Sequence, residues 1–225
     1  AILLPRMCLN RFYLAAGVKL YSHDTWRMIF CDGSGIQRMQ KQVNAVVRYY
    51  VKCCDADNHV VREAACQAIA ELVGRIDVQD NVETLLQALK MCFYDESWPV
   101  RDEACLACGS LCKAYPESVS IDSLWERFVE QLTDQIWSVR ADAAVALGDA
   151  LEAYGEPLWT RIRDLIAKLL PSALQQPSMT ESEYKQHIND PEMHTNTQLY
   201  SCGSLAPKLR KNRIGCSSCG IDRPK

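Results

Sequence analysis

At 225 residues, with a formal charge of −3 and an isoelectric point near 5.9, the chain is long enough for a sizeable core and lacks the basic balance of a general nucleic-acid binder. No run of about eighteen apolar residues occurs, and the apolar start Ala1-Ile-Leu-Leu4 is broken by Pro5 and Arg6, so neither a spanning helix nor a signal peptide is expected. Of twelve cysteines, nine precede residue 113 at spacings that follow helix faces, which argues against a disulfide scaffold and for free thiols in a reducing, intracellular setting. Ala at position 1 suggests a piece of something longer.

In chain order, Leu4, Cys8, Leu9, Phe12, Leu14, Ala15, Ala16 and Val18 predict a helix over 4–21, a break at Ser22-His-Asp24, and a short segment over 25–30. Asp32-Gly-Ser-Gly35 reads as a turn. Met39, Val43, Val46, Val47, Tyr50, Val51 and Cys54 then predict one helix of about five turns from Ile36. Asp55-Ala-Asp-Asn58 supplies cap chemistry for the next helix, whose stripe is Val61, Ala65, Ala68, Ile69, Leu72 and Val73.

From here the chain repeats itself. The segment Asp95-Glu-Ser-Trp-Pro-Val-Arg101 returns thirty-nine positions later as Asp134-Gln-Ile-Trp-Ser-Val-Arg140, and its middle appears thirty-nine positions earlier at Val61-Arg62-Glu-Ala-Ala-Cys66. At that shift Ala65, Ala104 and Ala143 coincide, as do Ala68, Ala107 and Ala146, and the small residues Ala70, Gly109 and Gly148. Small residues recurring on one helical face let a neighbouring helix approach closely. Each such helix is followed by a short connection and a second, more apolar helix, carrying Val82, Leu85, Leu86 and Leu89, then Ile121, Leu124, Trp125, Phe128 and Leu132, then Leu158, Ile162, Leu165, Ile166 and Leu169. One pair has too little core of its own, and stacked pairs bury a continuous one.

The alternation of two helices, the Asp closing one pair and the Val-Arg opening the next resemble HEAT repeats of the armadillo-like class, over about residues 1–172 and most specifically over 58–155. The resemblance implies an all-α fold, a right-handed α-α superhelix of about four helix pairs, with clear repeats at 58–95, 97–134 and 136–172. It also implies a curved scaffold that binds proteins. Beyond Pro171 the pattern fails, and 173–225, rich in Pro, Gln, Ser, Thr and Asn, reads as an irregular polar tail whose Tyr184, Ile188, Leu199 and Tyr200 are available to dock on the last repeat.

Four constellations invite a chemical reading. Asp95 and Asp134 each precede the repeat Arg, Arg101 and Arg140, by six residues, and Asp55 and Asp57 straddle the same offset before Arg62; these read as a structural ladder of carboxylate and guanidinium contacts, with Arg101 the partner of Asp95. Cys105, Cys108 and Cys112 share a helix face too extended for one ion, and Ala144 replaces Cys66 and Cys105 in the third copy, so core packing is expected there. Cys216-Ser-Ser-Cys219, with Cys202 and His194, offers one half of a zinc site without a second knuckle, and no bound zinc or other cofactor is expected. Lys208-Leu-Arg-Lys-Asn-Arg213 is a short basic cluster that reads as a solvated run, with a nuclear address as the alternative.

Enzyme motifs are missing: there is no P-loop, no G-x-S-x-G, no H-E-x-x-H, and His23 and His59 are not followed by Glu. The expectation is an interaction module in the cytoplasm or nucleus, with no small-molecule substrate, nucleic acid or membrane as partner. In stacked pairs the second helices line the inner wall, so their non-core positions would receive a protein or peptide. These are Gln87, Lys90 and Met91, then Arg127, Glu130 and Gln131, then Arg161, Asp164 and Lys168. Charge reversal at Arg127 and Lys168 should then abolish capture. Two rival readings stand beside this one. Trp98 and Trp137 at the repeat edge resemble the exposed loop Trp of tubulin-binding TOG arrays, and a metal-dependent HEAT-built enzyme is the other.

Overall fold

The computed structural model describes residues 3–174, and its described residues form ten α-helices and one 3-10 turn with no strand. They are α1 (Leu3–Asn10), α2 (Ala16–Ile29), α3 (Gly35–Lys41), α4 (Val43–Cys54), α5 (His59–Val73), α6 (Val82–Cys92), α7 (Trp98–Ala114), α8 (Asp122–Gln131), α9 (Trp137–Tyr154) and α10 (Glu156–Leu174). α5, α7 and α9 start thirty-nine residues apart, at His59, Trp98 and Trp137. The expectations for residues 175–225, including the tail, its cysteines, His194 and the basic cluster, lie outside the described residues. The chain divides after Ser123 into two compact units.

Local chemistry sets the helix starts. The Asn58 side chain accepts from the Val60 N–H at 2.9 Å and caps α5. At the next two starts an Asp does related work two positions earlier: Asp95 Oδ1 accepts from Ser97 N at 2.9 Å and Asp134 Oδ1 from Ile136 N at 2.8 Å. Pro99 sits in the first turn of α7, where its missing N–H costs no helical bond. Gly155, at φ +65°, ends α9 in a backbone conformation that side chains rarely adopt.

In the first unit α5 packs against both α4 and α7, and α1 packs on α2, α4 and α5. Ala65, Ala104 and Ala107 are fully buried, with Ala68 at 1 % exposure, so the small-residue face is the packing face. In the second unit α9 packs on α10, and Ala143 and Ala146 are buried in the same way. Gly148 departs from the pattern. It is exposed, and a Cβ built there meets nothing within 4 Å, so its small size serves no close approach.

The N-terminal region differs from the helix bounds expected of it. The single helix over 4–21 is two helices, separated at 11–15, while Ser22, His23 and Asp24 lie inside α2 with Ser22 buried. The reason is long-range. Arg11 pairs with Glu71 through two hydrogen bonds, at 2.7 and 3.4 Å, and lies over the Trp26 ring at 5.0 Å, contacts that hold the chain in a turn where local periodicity favours helix. The helix expected from Ile36 to Cys54 likewise breaks at Gln42. Just before that break, the Gln40 amide exchanges two hydrogen bonds with the Asp77 backbone, at 3.0 and 2.8 Å, anchoring α3 to the connection after α5. At the other end α10 runs through Pro171 to Leu174, two residues beyond the expected limit at 172.

Candidate interaction faces

Each repeat Arg turns back on its own helix start. Arg62 Nη1 donates to the carbonyls of Ala56 and Asp57, at 2.8 and 2.9 Å. Arg101 Nη1 does the same to Asp95 and Glu96, at 2.8 and 3.2 Å, and Arg140 Nη1 to Asp134 and Gln135, at 2.6 and 3.0 Å. One guanidinium thus satisfies two carbonyls in the turn that opens its helix.

The Asp95 carboxylate has a different partner from the one expected. It is held by Arg62 of the preceding repeat in a bidentate pair, Nε to Oδ2 at 2.5 Å and Nη2 to Oδ1 at 2.8 Å, whereas Arg101 contacts only the Asp95 main chain among the contacts just described. Both partners are largely buried, at 13 % and 8 % side-chain exposure. Burial alone would raise the Asp95 carboxyl; the Arg62 guanidinium and the Ser97 N–H more than reverse this and hold it below the usual carboxylate range.

Further polar contacts tie neighbouring repeats together in the first unit. Gln67 Nε2 donates to Glu103 at 2.9 Å, Asn81 Nδ2 to Asn44 at 3.0 Å and Gln79 Nε2 to Ser118 at 2.6 Å. The hydroxyl of Tyr115, at the end of α7, accepts from the Val78 N–H at 2.9 Å. Sequence reasoning missed it, although a signal was present: Tyr154 stands thirty-nine residues on. Tyr115→Phe leaves a donor beside a buried side chain without its acceptor, and is expected to lower stability by about 1 to 2 kcal/mol. The check is a lower denaturant midpoint with helical circular dichroism unchanged.

Of the nine second-helix positions singled out, Gln87, Met91, Glu130, Asp164 and Lys168 are exposed, while Lys90, Arg127 and Arg161 are half-buried. Gln131 is 6 % exposed and belongs to the core side of α8, so it drops out of any open face. Several of the charges are engaged locally: Arg127 pairs with Glu130 at 2.8 Å, and the Arg161 guanidinium stacks over Trp125 at 4.3 Å. More telling are the apolar side chains beside them. Met91 and Tyr94 are 74 % and 56 % exposed at the end of α6 in the first unit. In the second, Trp159, Ile166 and Leu170 are 42 %, 51 % and 49 % exposed along α10. Their spacing of seven and four puts them on one face of the helix.

The tubulin-type reading needs exposed Trp residues at the repeat edge. Trp137 is buried at 6 % exposure and so offers no exposed ring, while Trp98 is half-buried, each at the first position of its helix. Elsewhere, a cleft of about 460 Å³ between α1 and α2 is walled by residues such as Leu3, Met7, Tyr21, Ile29 and Phe30. Among the described residues on its wall, Arg6 is the one charged side chain, and no His, Asp, Glu or Cys stands beside it. Cys105, Cys108 and Cys112 are fully buried in α7, as expected for core thiols. Burial pushes the Cys108 thiol well above its ordinary value. Three other cysteines, Cys54, Cys66 and Cys92, meet in space with all three sulfurs within 4.8 Å of one another, a cluster the sequence spacing did not suggest. Among the described residues no helix is long and apolar enough to cross a membrane.

A search of curated proteins finds no match. The model of one protein family, described as non-SMC mitotic condensation complex subunit 1, matches residues 60–190, a span that begins in the first turn of α5 and covers all three clear repeats. That span is more than half of the chain, and the family is of the HEAT-repeat, scaffold kind that the helix pairs, the repeat Arg and the buried alanine face lead to. The chain belongs to the family of non-SMC mitotic condensation complex subunit 1.

Proposed function

We propose that this chain is a non-enzymatic subunit or adaptor that joins a protein assembly of the mitotic condensation type through the exposed faces of its second helices. The observation that carries this reading is the row of Trp159, Ile166 and Leu170 on one face of α10, each about half-exposed, with the exposed Arg163 on the same side of the helix. Large apolar side chains grouped on one exposed helix face characterise protein contact sites, and a polar border gives them register. On α6, Met91 and Tyr94 beside Gln87 offer a second, smaller patch of the same character.

The mixed charge of these positions favours a protein over a nucleic-acid backbone, which would call for Lys and Arg in excess and impose a steep salt dependence. The family supports a place on chromosomes during division. Imaging of the fluorescently tagged chain through the cell cycle tests this. Enrichment on condensed chromosomes is expected, and uniform exclusion from them throughout mitosis would contradict it.

A further inference from the structure

Cys54 is the last residue of α4, Cys66 lies within α5, and Cys92 is the last residue of α6. Three rigid helices therefore deliver one thiol each to a common point, with the side chains at 7 %, 0 % and 2 % exposure and the sulfurs within 4.8 Å of one another. A metal bound to three sulfurs at about 2.3 Å in a plane sets those sulfurs about 4 Å apart, so the observed triangle is near metal-binding size before any ion enters.

The repeat architecture does not require cysteine here. One period on, Phe93, Cys105 and Gln131 occupy the equivalent positions, and all three are buried. Two of the three points carry no thiol one period on, and among the described residues three cysteine sulfurs converge at this place. The electrostatics also favour a cation. Two of the three sulfurs sit at helix carboxyl ends, where the aligned peptide dipoles stabilise positive charge. The Cys92 thiol donates to the Cys54 carbonyl at 3.8 Å, which places it beside the carboxyl end of α4.

We infer that Cys54, Cys66 and Cys92 form a closed three-sulfur site for a soft monovalent ion, the cuprous ion. Among the described residues no fourth His, Cys, Asp or Glu ligand atom joins the triangle, and its burial leaves no open position for water. That donor set disfavours zinc, which completes a tetrahedron, and suits an ion satisfied by three thiolates. Binding releases the thiol protons to solvent and leaves the ion monovalent.

The test uses the full chain carrying Cys202→Ser, Cys216→Ser and Cys219→Ser, so that the C-terminal thiols do not compete. Cuprous ion is added anaerobically under reductant, and a chromogenic cuprous chelator is then supplied in excess. Retention of one copper per chain and a rise in the melting midpoint of several degrees are expected. Cys66→Ala, which installs the residue found at the equivalent Ala144, should lose both the copper and the rise, while Cys105→Ala should keep them. Cys92→Ala provides a second variant if Cys66→Ala folds poorly, with the same loss expected. Surrender of all copper by the parent chain, or retention of copper by the folded Cys66→Ala or Cys92→Ala chain, would overturn the assignment.

Discussion

Replacing Arg62 with alanine is expected to lower stability by about 3 to 5 kcal/mol, the range found when one member of a buried ion pair is removed and its partner stays charged. The Asp95 carboxylate would lose both of its guanidinium bonds at 8 % exposure, where water cannot easily replace them. The carbonyls of Ala56 and Asp57 would lose a donor at the same time. Arg101→Ala should cost less through Asp95, because Arg101 touches the Asp95 carbonyl while Arg62 holds its carboxylate. Denaturant unfolding of wild type and Arg62→Ala, each with and without Asp95→Asn, checks this, and the cost of Arg62→Ala should shrink in the Asp95→Asn background.

The same pair predicts an acid limb. Because the folded-state Asp95 carboxyl is held below its unfolded value of about 3.9, its contribution is fully present above that pH and is lost as pH falls through the lower folded value. The melting midpoint of the wild type should drop as pH falls from about 5 towards 3, and that drop should be shallower in Asp95→Asn. Equal slopes in the two proteins would remove Asp95 as its source.

The second large effect concerns binding. Ile166→Asp with Leu170→Asp places two carboxylates at the centre of the exposed α10 row and should weaken partner affinity at least about 30-fold, equivalent to about 2 kcal/mol. Both side chains are about half-exposed, so the helix should survive the change, which unaltered circular dichroism would verify. Lys168→Glu, on the opposite side of α10 from the row, should act more on the rate of association and on its salt dependence than on affinity. Arg127→Glu also disrupts the local pair with Glu130, so its effect on capture should be read beside that of Lys168→Glu. Affinity unchanged by the double substitution would move the contact elsewhere.

Sequence pattern reveals what repeats and what is local. The 39-residue shift exposes the helix pairs, the Ala65, Ala104 and Ala143 face and the position of each repeat Arg, because all three recur with one period. It misleads about Asp95. In sequence the nearest guanidinium in register is Arg101, six residues on; in space Arg101 reaches back to its own turn and the carboxylate meets Arg62, thirty-three residues earlier. The split of the first helix rests on Arg11 and Glu71, sixty residues apart, which no short window of periodicity contains. The triangle of Cys54, Cys66 and Cys92 is hidden for a related reason: its spacings of twelve and twenty-six follow neither a helix face nor a knuckle. Ile166 shows another limit. Its position in an apolar stripe marks it as core, yet it is 51 % exposed, because periodicity identifies an apolar face and says nothing about what covers it.

The role proposed for the chain is assembly with other proteins. The most direct measurement is co-purification of the tagged chain from mitotic cells at physiological salt, followed by size-exclusion chromatography, for wild type and for the Ile166→Asp, Leu170→Asp chain. The wild type should elute with the mitotic condensation complex in constant proportion, and the folded double variant should elute free. A wild-type chain that elutes as a free monomer from the same cells would contradict it.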